Sequence, residues 1–250
     1  MNIFILAQKV LYFFRKVFSF CFGRETCVAC GRETLVLPLC KSCLKKHFMK
    51  VDFNFRCSVC GKPLVSEEKI CMACRETPVI CNCDRVLSLH TYRLWKKNLL
   101  FQWKICEKRV LSPVFAKLID FVLKNQFNGQ SFTLVPVPPR SGKKKLKGWD
   151  QIEELCSILK NCYGYKVLNI LERLNVCEQK KLDRRERLET KGKAYGISKK
   201  WLCISQNKIP DFCIIVDDVL TTGITVENCA CCLKNFGVKR VEALTLFIVD

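Results

Sequence analysis

The sequence predicts an α/β fold with a parallel-rich sheet, preceded by a small N-terminal cysteine-rich module. Helical patterns separate four short runs of Val, Ile, Leu and Phe that are typical of buried strands, at residues 86–92, 131–137, 212–216 and 238–249. Such alternation favours a parallel sheet with a ligand site at the carboxyl ends of its strands. Four Cys-x-x-Cys pairs between residues 27 and 74 indicate a separate metal-binding module.

Length and composition indicate a folded, basic protein. With 250 residues, of which 49% are hydrophobic, the chain can bury a core in one large or two smaller domains, so a disordered protein is excluded. Lys and Arg number 43 against 23 Asp and Glu, giving a formal charge of +20. This charge favours a polyanionic partner, such as nucleic acid or a phosphate-rich ligand. Two zinc sites of four thiolates each would remove roughly four of these charges.

Residues 1–22 are predicted to form an amphipathic helix. Its apolar face would carry Ile3, Leu6, Val10, Phe13, Phe14 and Val17. The stretch lacks an early positive region and a small-residue cleavage site, unlike a secretory signal peptide, and it is too short and charged to span a bilayer. We therefore expect no transmembrane segment and a helix that docks on the protein; contact with a membrane surface is the alternative.

Residues 23–83 are predicted to form a double zinc-ribbon-like module. Two Cys-x-x-Cys pairs complete a closed tetrahedral site, and Gly follows the first and third pairs as in a zinc knuckle. Disulfides and an iron–sulfur cluster are alternatives. The spacing leaves open whether one or two ions bind, and whether the pairs combine sequentially or crosswise. The expected ligands are Cys27, Cys30, Cys40, Cys43, Cys57, Cys60, Cys71 and Cys74.

The remaining twelve of the 20 cysteines are scattered, often in apolar runs. This distribution fits buried free thiols in a reducing compartment, so we expect a cytoplasmic protein. Cys81 and Cys83 are interpreted as loop thiols.

Residues 84–250 are predicted to form the α/β domain. Behind its first strand, the aromatic residues Tyr92, Trp95, Phe101 and Trp103 lie among many cations, including Lys104. Aromatic rings between cations can stack on the bases of single-stranded nucleic acid. The simpler interpretation places the aromatic residues in the core and the cations in solvent.

A basic loop follows the strand at residues 131–137, which breaks at Pro136-Val-Pro-Pro139. Residues 140–151 are rich in Arg, Lys and Gly, so this loop could close over a pyrophosphate or a nucleic acid; a charged surface loop is the alternative. A helix is expected at residues 152–161, where apolar residues share one face. Beyond it, weaker patterns predict short strands at residues 166–171, 195–197 and 202–204.

The segment from residue 212 to residue 236 predicts the functional site. A buried strand at 212–216 ends in Asp217 and Asp218, and a Thr/Gly turn leads into a helix at 226–236. Backbone N–H groups of such a turn, together with the helix dipole, bind phosphate, and two carboxylates suit the vicinal hydroxyls of a ribose. An ordinary turn with a capped helix is the alternative.

These parts together resemble the ComF family of competence-associated, amidophosphoribosyltransferase-like proteins, from about residue 20 onwards. Pro136-Val-Pro138 matches the Pro-Val-Pro strand end of the family, and residues 147–151 keep Gly and Gln of its Arg-Gly-Phe-Asn-Gln motif. Residues 176–195 keep Gln179, Leu182 and Arg187 of a later family run. Residues 217–225 match in full the Asp-Asp-x-x-Thr-Thr-Gly-x-Thr loop, which resembles the phosphoribosyl pyrophosphate (PRPP) loop of type I phosphoribosyltransferases.

The resemblance implies a sheet of the type I phosphoribosyltransferase kind, structural zinc, and Mg²⁺ bound with PRPP. It implies PRPP binding by Asp217, Asp218, Thr221, Thr222, Gly223 and Thr225. Arg140, Lys147 and Gln151 are the candidates for a catalytic role. The family is linked with natural transformation, so single-stranded DNA and proteins of DNA uptake or recombination are expected partners. An active PRPP-dependent phosphoribosyltransferase with an unknown acceptor, and a PRPP-sensing adaptor, are the alternatives.

Overall fold

A computed structural model describes Val10, Val17 and residues 25–139, 148–174, 194–202 and 209–249. The predicted N-terminal helix otherwise lies outside the described residues, as do Arg140, Lys147 and the family-like positions between residues 175 and 193. Within the described ranges, no helix combines the length and the apolarity that a membrane crossing requires.

The cysteine-rich region contains only short elements. Strands β1 (Glu25–Thr26) and β2 (Glu33–Thr34) form an antiparallel hairpin. Helix α1 (Lys41–Cys43) continues as one π-helical turn (Leu44–Phe48). Helix α2 (Met72–Glu76) begins directly after Cys71.

A parallel sheet forms the centre of the molecule and confirms the predicted α/β class. The strands are β3 (Arg85–Thr91), β4 (Thr133–Pro136), β5 (Leu171–Arg173), β6 (Tyr195–Ile197), β7 (Phe212–Leu220) and β8 (Arg240–Ile248). Four of them form the sheet in the order β3-β8-β7-β4, and every neighbouring pair is parallel. Strands β5 and β6 form a separate antiparallel ribbon.

Helices connect these strands and cover both faces of the sheet. The predicted strand at 202–204 is wrong at Leu202, which ends a helix. Where a strand was predicted at 166–171, Val167 forms only a single parallel bridge with Leu134. Regular strand pairing begins at Leu171, the first residue of β5. The helices are α3 (Trp95–Lys104), α4 (Ser112–Gln126), α5 (Gln151–Tyr163), α6 (Lys199–Leu202) and α7 (Ile224–Asn235), with a 3₁₀ turn at Arg109–Leu111.

Strand β7 is buried on both faces because its side chains alternate between two core clusters. Ile214 and Val216 pack in the cluster that contains residues of α3, α4 and α5. Cys213 and Ile215 pack in the cluster that contains residues of α7, β5 and β6. A continuous apolar run is what a central parallel strand requires when helices cover both sides of the sheet.

The aromatic residues of α3 divide between core and surface. Trp103 is fully buried, its ring lies 4.5 Å from that of Phe115, and its indole N–H donates to Ser112 Oγ at 2.8 Å. Phe101, in contrast, is 50% exposed. The core interpretation is therefore confirmed for Trp103, and four neighbouring aromatic rings do not form one exposed stacking surface.

The cysteine-rich region packs directly against β3. Arg56 donates from Nη1 to the carbonyl oxygen of Ser88 at 2.8 Å and to that of Gly61 at 3.0 Å. A Cβ added to Gly61 would lie 2.6 Å from the carbonyl oxygen of Val86, so only glycine permits this approach. Phe48 is fully buried, and its carbonyl oxygen lies 2.7 Å from Nε2 of His90.

Candidate functional site

The eight predicted metal ligands form two separate tetrads. Within each tetrad, the four Sγ atoms all lie within 4.8 Å of one another. The pairs therefore combine sequentially, and each tetrad could hold one zinc ion. The first tetrad is Cys27, Cys30, Cys40 and Cys43, and the second is Cys57, Cys60, Cys71 and Cys74.

The sulfur spacing matches a tetrahedral zinc site. Sγ of Cys30 lies 3.8 Å from Sγ of Cys40, and Sγ of Cys60 lies 3.7 Å from Sγ of Cys71. A tetrahedron with Zn–S bonds of about 2.3 Å has an edge of about 3.8 Å. All four of these cysteines are free thiols, which agrees with ligation rather than disulfide bonding.

Backbone donors at both tetrads stabilise thiolates. The N–H of Cys43 donates to Sγ of Cys40, and the N–H of Cys71 donates to Sγ of Cys57, each at 3.4 Å. Burial raises the pKa of the Cys27 thiol, but hydrogen bonds from backbone groups of Cys40, Ala29 and Cys30 lower this pKa to about 6. Because zinc binds the thiolate, such donors favour metal binding at neutral pH.

The second candidate site is acidic and lies at the carboxyl end of β7. The predicted strand ended at residue 216, but the observed strand continues through both carboxylates to Leu220. It is longer because β8 runs alongside it, with Asp217 opposite Thr245 and Leu220 opposite Ile248. Gly223 then caps the N-terminus of α7 with a φ of +82°, a left-handed conformation that favours glycine.

Asp218 is buried and has two close partners from distant parts of the chain. Its Oδ2 lies 2.7 Å from Nζ of Lys104 at the end of α3, and it accepts a hydrogen bond from Nε2 of Gln151 at 2.7 Å. Its side chain is only 7% exposed, so the ammonium group supplies the positive charge that a buried carboxylate requires. The sequence placed Lys104 among solvated cations and did not predict this contact.

The carboxyl group of Asp217 has a raised pKa. Burial, followed by repulsion from the Asp218 carboxylate, raises the pKa of Asp217 from 3.8 to about 7. One of its oxygens, Oδ1, accepts the backbone N–H of Asp218 at 2.8 Å. A carboxyl group with a pKa near neutrality can gain or lose a proton when a ligand binds.

Asp150 has a structural role that explains one departure from the family motif. Oδ1 of Asp150 accepts the N–H groups of Ile152 and Glu153 at 2.9 and 3.1 Å, so this side chain caps α5. Asn and Asp serve equally well as N-caps, and an acidic group at a helix N-terminus is favourable. Asp at this position therefore keeps the cap that Asn would provide.

A cavity of about 500 Å³ brings these groups together. Four of the six residues predicted to bind PRPP line it, namely Asp217, Asp218, Thr221 and Thr225, and so does Gln151. Thr222 is exposed on the turn and Gly223 is buried, and neither lines the cavity.

Three further cavity residues were missed from the sequence: Lys104, Arg173 and Tyr195. Nη1 of Arg173 donates to the hydroxyl oxygen of Tyr195 at 3.3 Å, and its guanidinium lies 5.4 Å from the Tyr195 ring centre. Arg173 and Tyr195 belong to the β5–β6 ribbon. In the sequence, only the similarity of residues 176–195 to the later family run indicated that this region is functional.

Fold and site together define a class: an α/β protein with two four-cysteine clusters and an acidic cavity at the carboxyl end of a parallel sheet. No family model matches the chain. It is similar to the competence protein ComFC of Streptococcus pneumoniae, with 24% identity over 234 residues, covering 88% of this chain and 98% of the relative. ComFC of Bacillus subtilis is 25% identical over 217 residues, covering 83% of each chain. These two matches support membership of the ComF family.

Proposed function

We propose that this ComF-type protein binds PRPP or a related sugar phosphate in the acidic cavity and acts in DNA uptake during natural transformation. One observation carries the binding proposal: two carboxylates, two threonines and two cations converge on one cavity at the N-terminus of α7. Parallel α/β sheets bind ligands at this edge, and a helix N-terminus favours phosphate. Support for a role in DNA uptake comes from the two relatives, which are named competence proteins.

Each polar group of the cavity has a role that fits a phosphorylated ribose. Asp217 and Asp218 would accept hydrogen bonds from the ribose hydroxyls, and the turn at residues 221–225 would hold the 5′-phosphate through backbone N–H groups. Lys104 and Arg173 would offset the negative charge of the pyrophosphate. Mg²⁺, bound with PRPP, would neutralise further phosphate charge. The two cysteine tetrads would hold structural zinc.

Isothermal titration with PRPP and Mg²⁺ tests this proposal. We expect the wild-type protein to bind, and Asp217→Asn to weaken binding by about tenfold or more, since a charged hydrogen-bond acceptor is lost. Asp211→Asn is the matched control because Asp211 is 78% exposed and lies outside the cavity. Absence of binding heat with the wild type, or equal affinities for wild type and Asp217→Asn, would refute the assignment.

Transfer chemistry at the same site is a further proposal. A pKa near neutrality suits Asp217 to accept a proton from an acceptor group. Pyrophosphate release from PRPP, measured with candidate nucleobases and amines as acceptors, distinguishes a transferase from a protein that binds PRPP without turnover.

Single-stranded DNA binding is supported by a different surface. Lys45, Lys46 and Lys50 line an open groove of about 640 Å³ together with Phe121, which is 47% exposed. Cations beside an exposed aromatic ring suit a single strand. In fluorescence anisotropy with oligo-dT, we expect Lys45→Glu to weaken binding and to lower the salt slope by about one, and Lys239→Glu to leave both unchanged. A salt-independent affinity would contradict this proposal.

A further inference from the structure

The segment at residues 79–84, here called the strap, connects the second cysteine tetrad to β3 and runs along α7. At its C-terminal end, Oδ2 of Asp84 accepts the backbone N–H of Val241 and lies 2.7 Å from Nζ of Lys234, near the end of α7. At its N-terminal end, Ile80 lies against Gly223, where α7 begins. The strap therefore contacts both ends of the helix that leads out of the acidic cavity.

Glu227, in the first turn of α7, holds the middle of the strap. Its Oε2 accepts the backbone N–H groups of Cys81 and Asn82 at 2.8 and 2.9 Å. Its Oε1 accepts the side-chain amide of Asn82 at 2.6 Å. Glu227 is only 7% exposed, so these three bonds to a buried carboxylate are stronger than ordinary neutral hydrogen bonds.

Ile80 occupies the space that a side chain at residue 223 would require. A Cβ on Gly223 would lie 2.9 Å from both Cγ1 and Cδ1 of Ile80, and Ile80 is itself only 7% exposed. The turn is therefore confined on one side by the strap, while Thr221 and Thr225 line the cavity on the other. Movement of the strap would release the turn.

We infer that the strap, through Glu227 and Ile80, positions the turn at residues 221–225 for phosphate binding and links the second cysteine tetrad to the acidic cavity. Neither Glu227 nor Ile80 lines the cavity, so both are positioning residues. The strap begins three residues after α2, which carries Cys74, so the fold of the tetrad sets where the strap starts. This inference rests on the proposed PRPP site and adds the contacts that hold its turn in place.

The test compares Glu227→Gln and Ile80→Ala with Lys234→Met in the zinc-loaded, full-length protein. Glu227→Gln keeps the side-chain size but places an N–H donor where three donors already converge. The matched control, Lys234→Met, removes a contact between strap and helix at the far end of α7. Three quantities are measured: the Kd for PRPP with Mg²⁺, hydrogen exchange by peptide, and zinc content.

We expect Glu227→Gln to weaken PRPP binding by about tenfold, and Ile80→Ala to weaken it to a smaller extent. Hydrogen exchange should accelerate at residues 79–83 and 221–226, with exchange in the central sheet and zinc content as in the wild type. Lys234→Met should change neither affinity nor exchange at residues 221–226. Removal of zinc with a chelator should accelerate exchange in the same two segments.

Unchanged exchange at residues 221–226 in both strap variants would overturn the inference, as would acceleration spread evenly over the sheet. If Glu227→Gln does not fold, Ile80→Ala decides the outcome. If the wild type does not bind PRPP, the proposed function fails, and the exchange measurement still decides whether the strap positions the turn.

Discussion

Asp217→Asn should stabilise the fold, and by more at alkaline than at acidic pH. The pKa of Asp217 is raised to about 7 in the folded protein because burial and the Asp218 carboxylate disfavour its charge. In the unfolded chain it ionises near its ordinary pKa of about 3.9. Between these two pKa values, Asp217 is ionised in the unfolded chain but protonated in the folded protein, so folding takes up a proton. The free energy of unfolding therefore falls as the pH rises from about 4 to about 7.

The raised pKa sets how much folding stability the ionised Asp217 removes. A shift from 3.8 to about 7 corresponds to at most about 4 kcal/mol of lost stability above pH 7, at 1.36 kcal/mol per unit. About 2 kcal/mol of this loss falls between about pH 5.5 and about pH 7, a span of roughly 1.5 pH units. Asn removes the charge without changing the shape, so Asp217→Asn should recover this free energy. Such a gain in stability is expected at a binding site, where a group that destabilises the fold is kept because function requires it.

Urea denaturation of zinc-loaded protein from about pH 5.5 to about pH 8 measures the effect. The stability gained by Asp217→Asn should grow across this range by about 1–2 kcal/mol. Asp211→Asn serves as the control for the pH dependence of zinc binding, because Asp211 is 78% exposed. A gain that is constant with pH, or a variant less stable than the wild type at pH 8, would refute the assigned cause of the pKa shift.

Three further predictions concern the metal module and the buried ion pair. In denaturation, Gly61→Ala should lower the free energy of unfolding by at least about 2 kcal/mol more than Gly31→Ala. Both glycines have a φ of +73°, but only at Gly61 would a Cβ meet a carbonyl oxygen of β3, at 2.6 Å. Equal losses would contradict the docking of the second knuckle on β3. Cys57→Ser should reduce bound zinc from two ions to one in atomic absorption, whereas Cys81→Ser should not; two ions in both variants would argue against the second tetrad. Lys104→Met should destabilise the protein by about 1–3 kcal/mol, since a buried carboxylate loses its counter-charge; an unchanged unfolding midpoint would show that this pair contributes no net stability.

The central sheet and the metal ligands were predictable because their signals are local. The apolar run at residues 212–216 is typical of a strand buried on both faces, and it lies in the interior of the sheet. The Cys-x-x-Cys spacing identified all eight cysteines of the two tetrads. Their combination was not predictable, because sequential and crossed pairing use identical ligand sets. The positions of the Sγ atoms in the folded chain decide between them, because the first pair lies with the second and the third lies with the fourth.

The strand, the two carboxylates and the glycine turn follow from local sequence, since each depends on neighbouring residues and on backbone geometry. The groups that face those carboxylates depend instead on how distant elements pack. Lys104 belongs to a helix with several lysines, and nothing local distinguishes it; the packing of α3 brings its ammonium group to 2.7 Å from Asp218. In the sequence, Glu227 is likewise an ordinary acidic residue in the first turn of a helix. In the folded protein, the strap brings three hydrogen-bond donors to its carboxylate. Contacts between residues so far apart in sequence depend on how the elements pack, which no local pattern records.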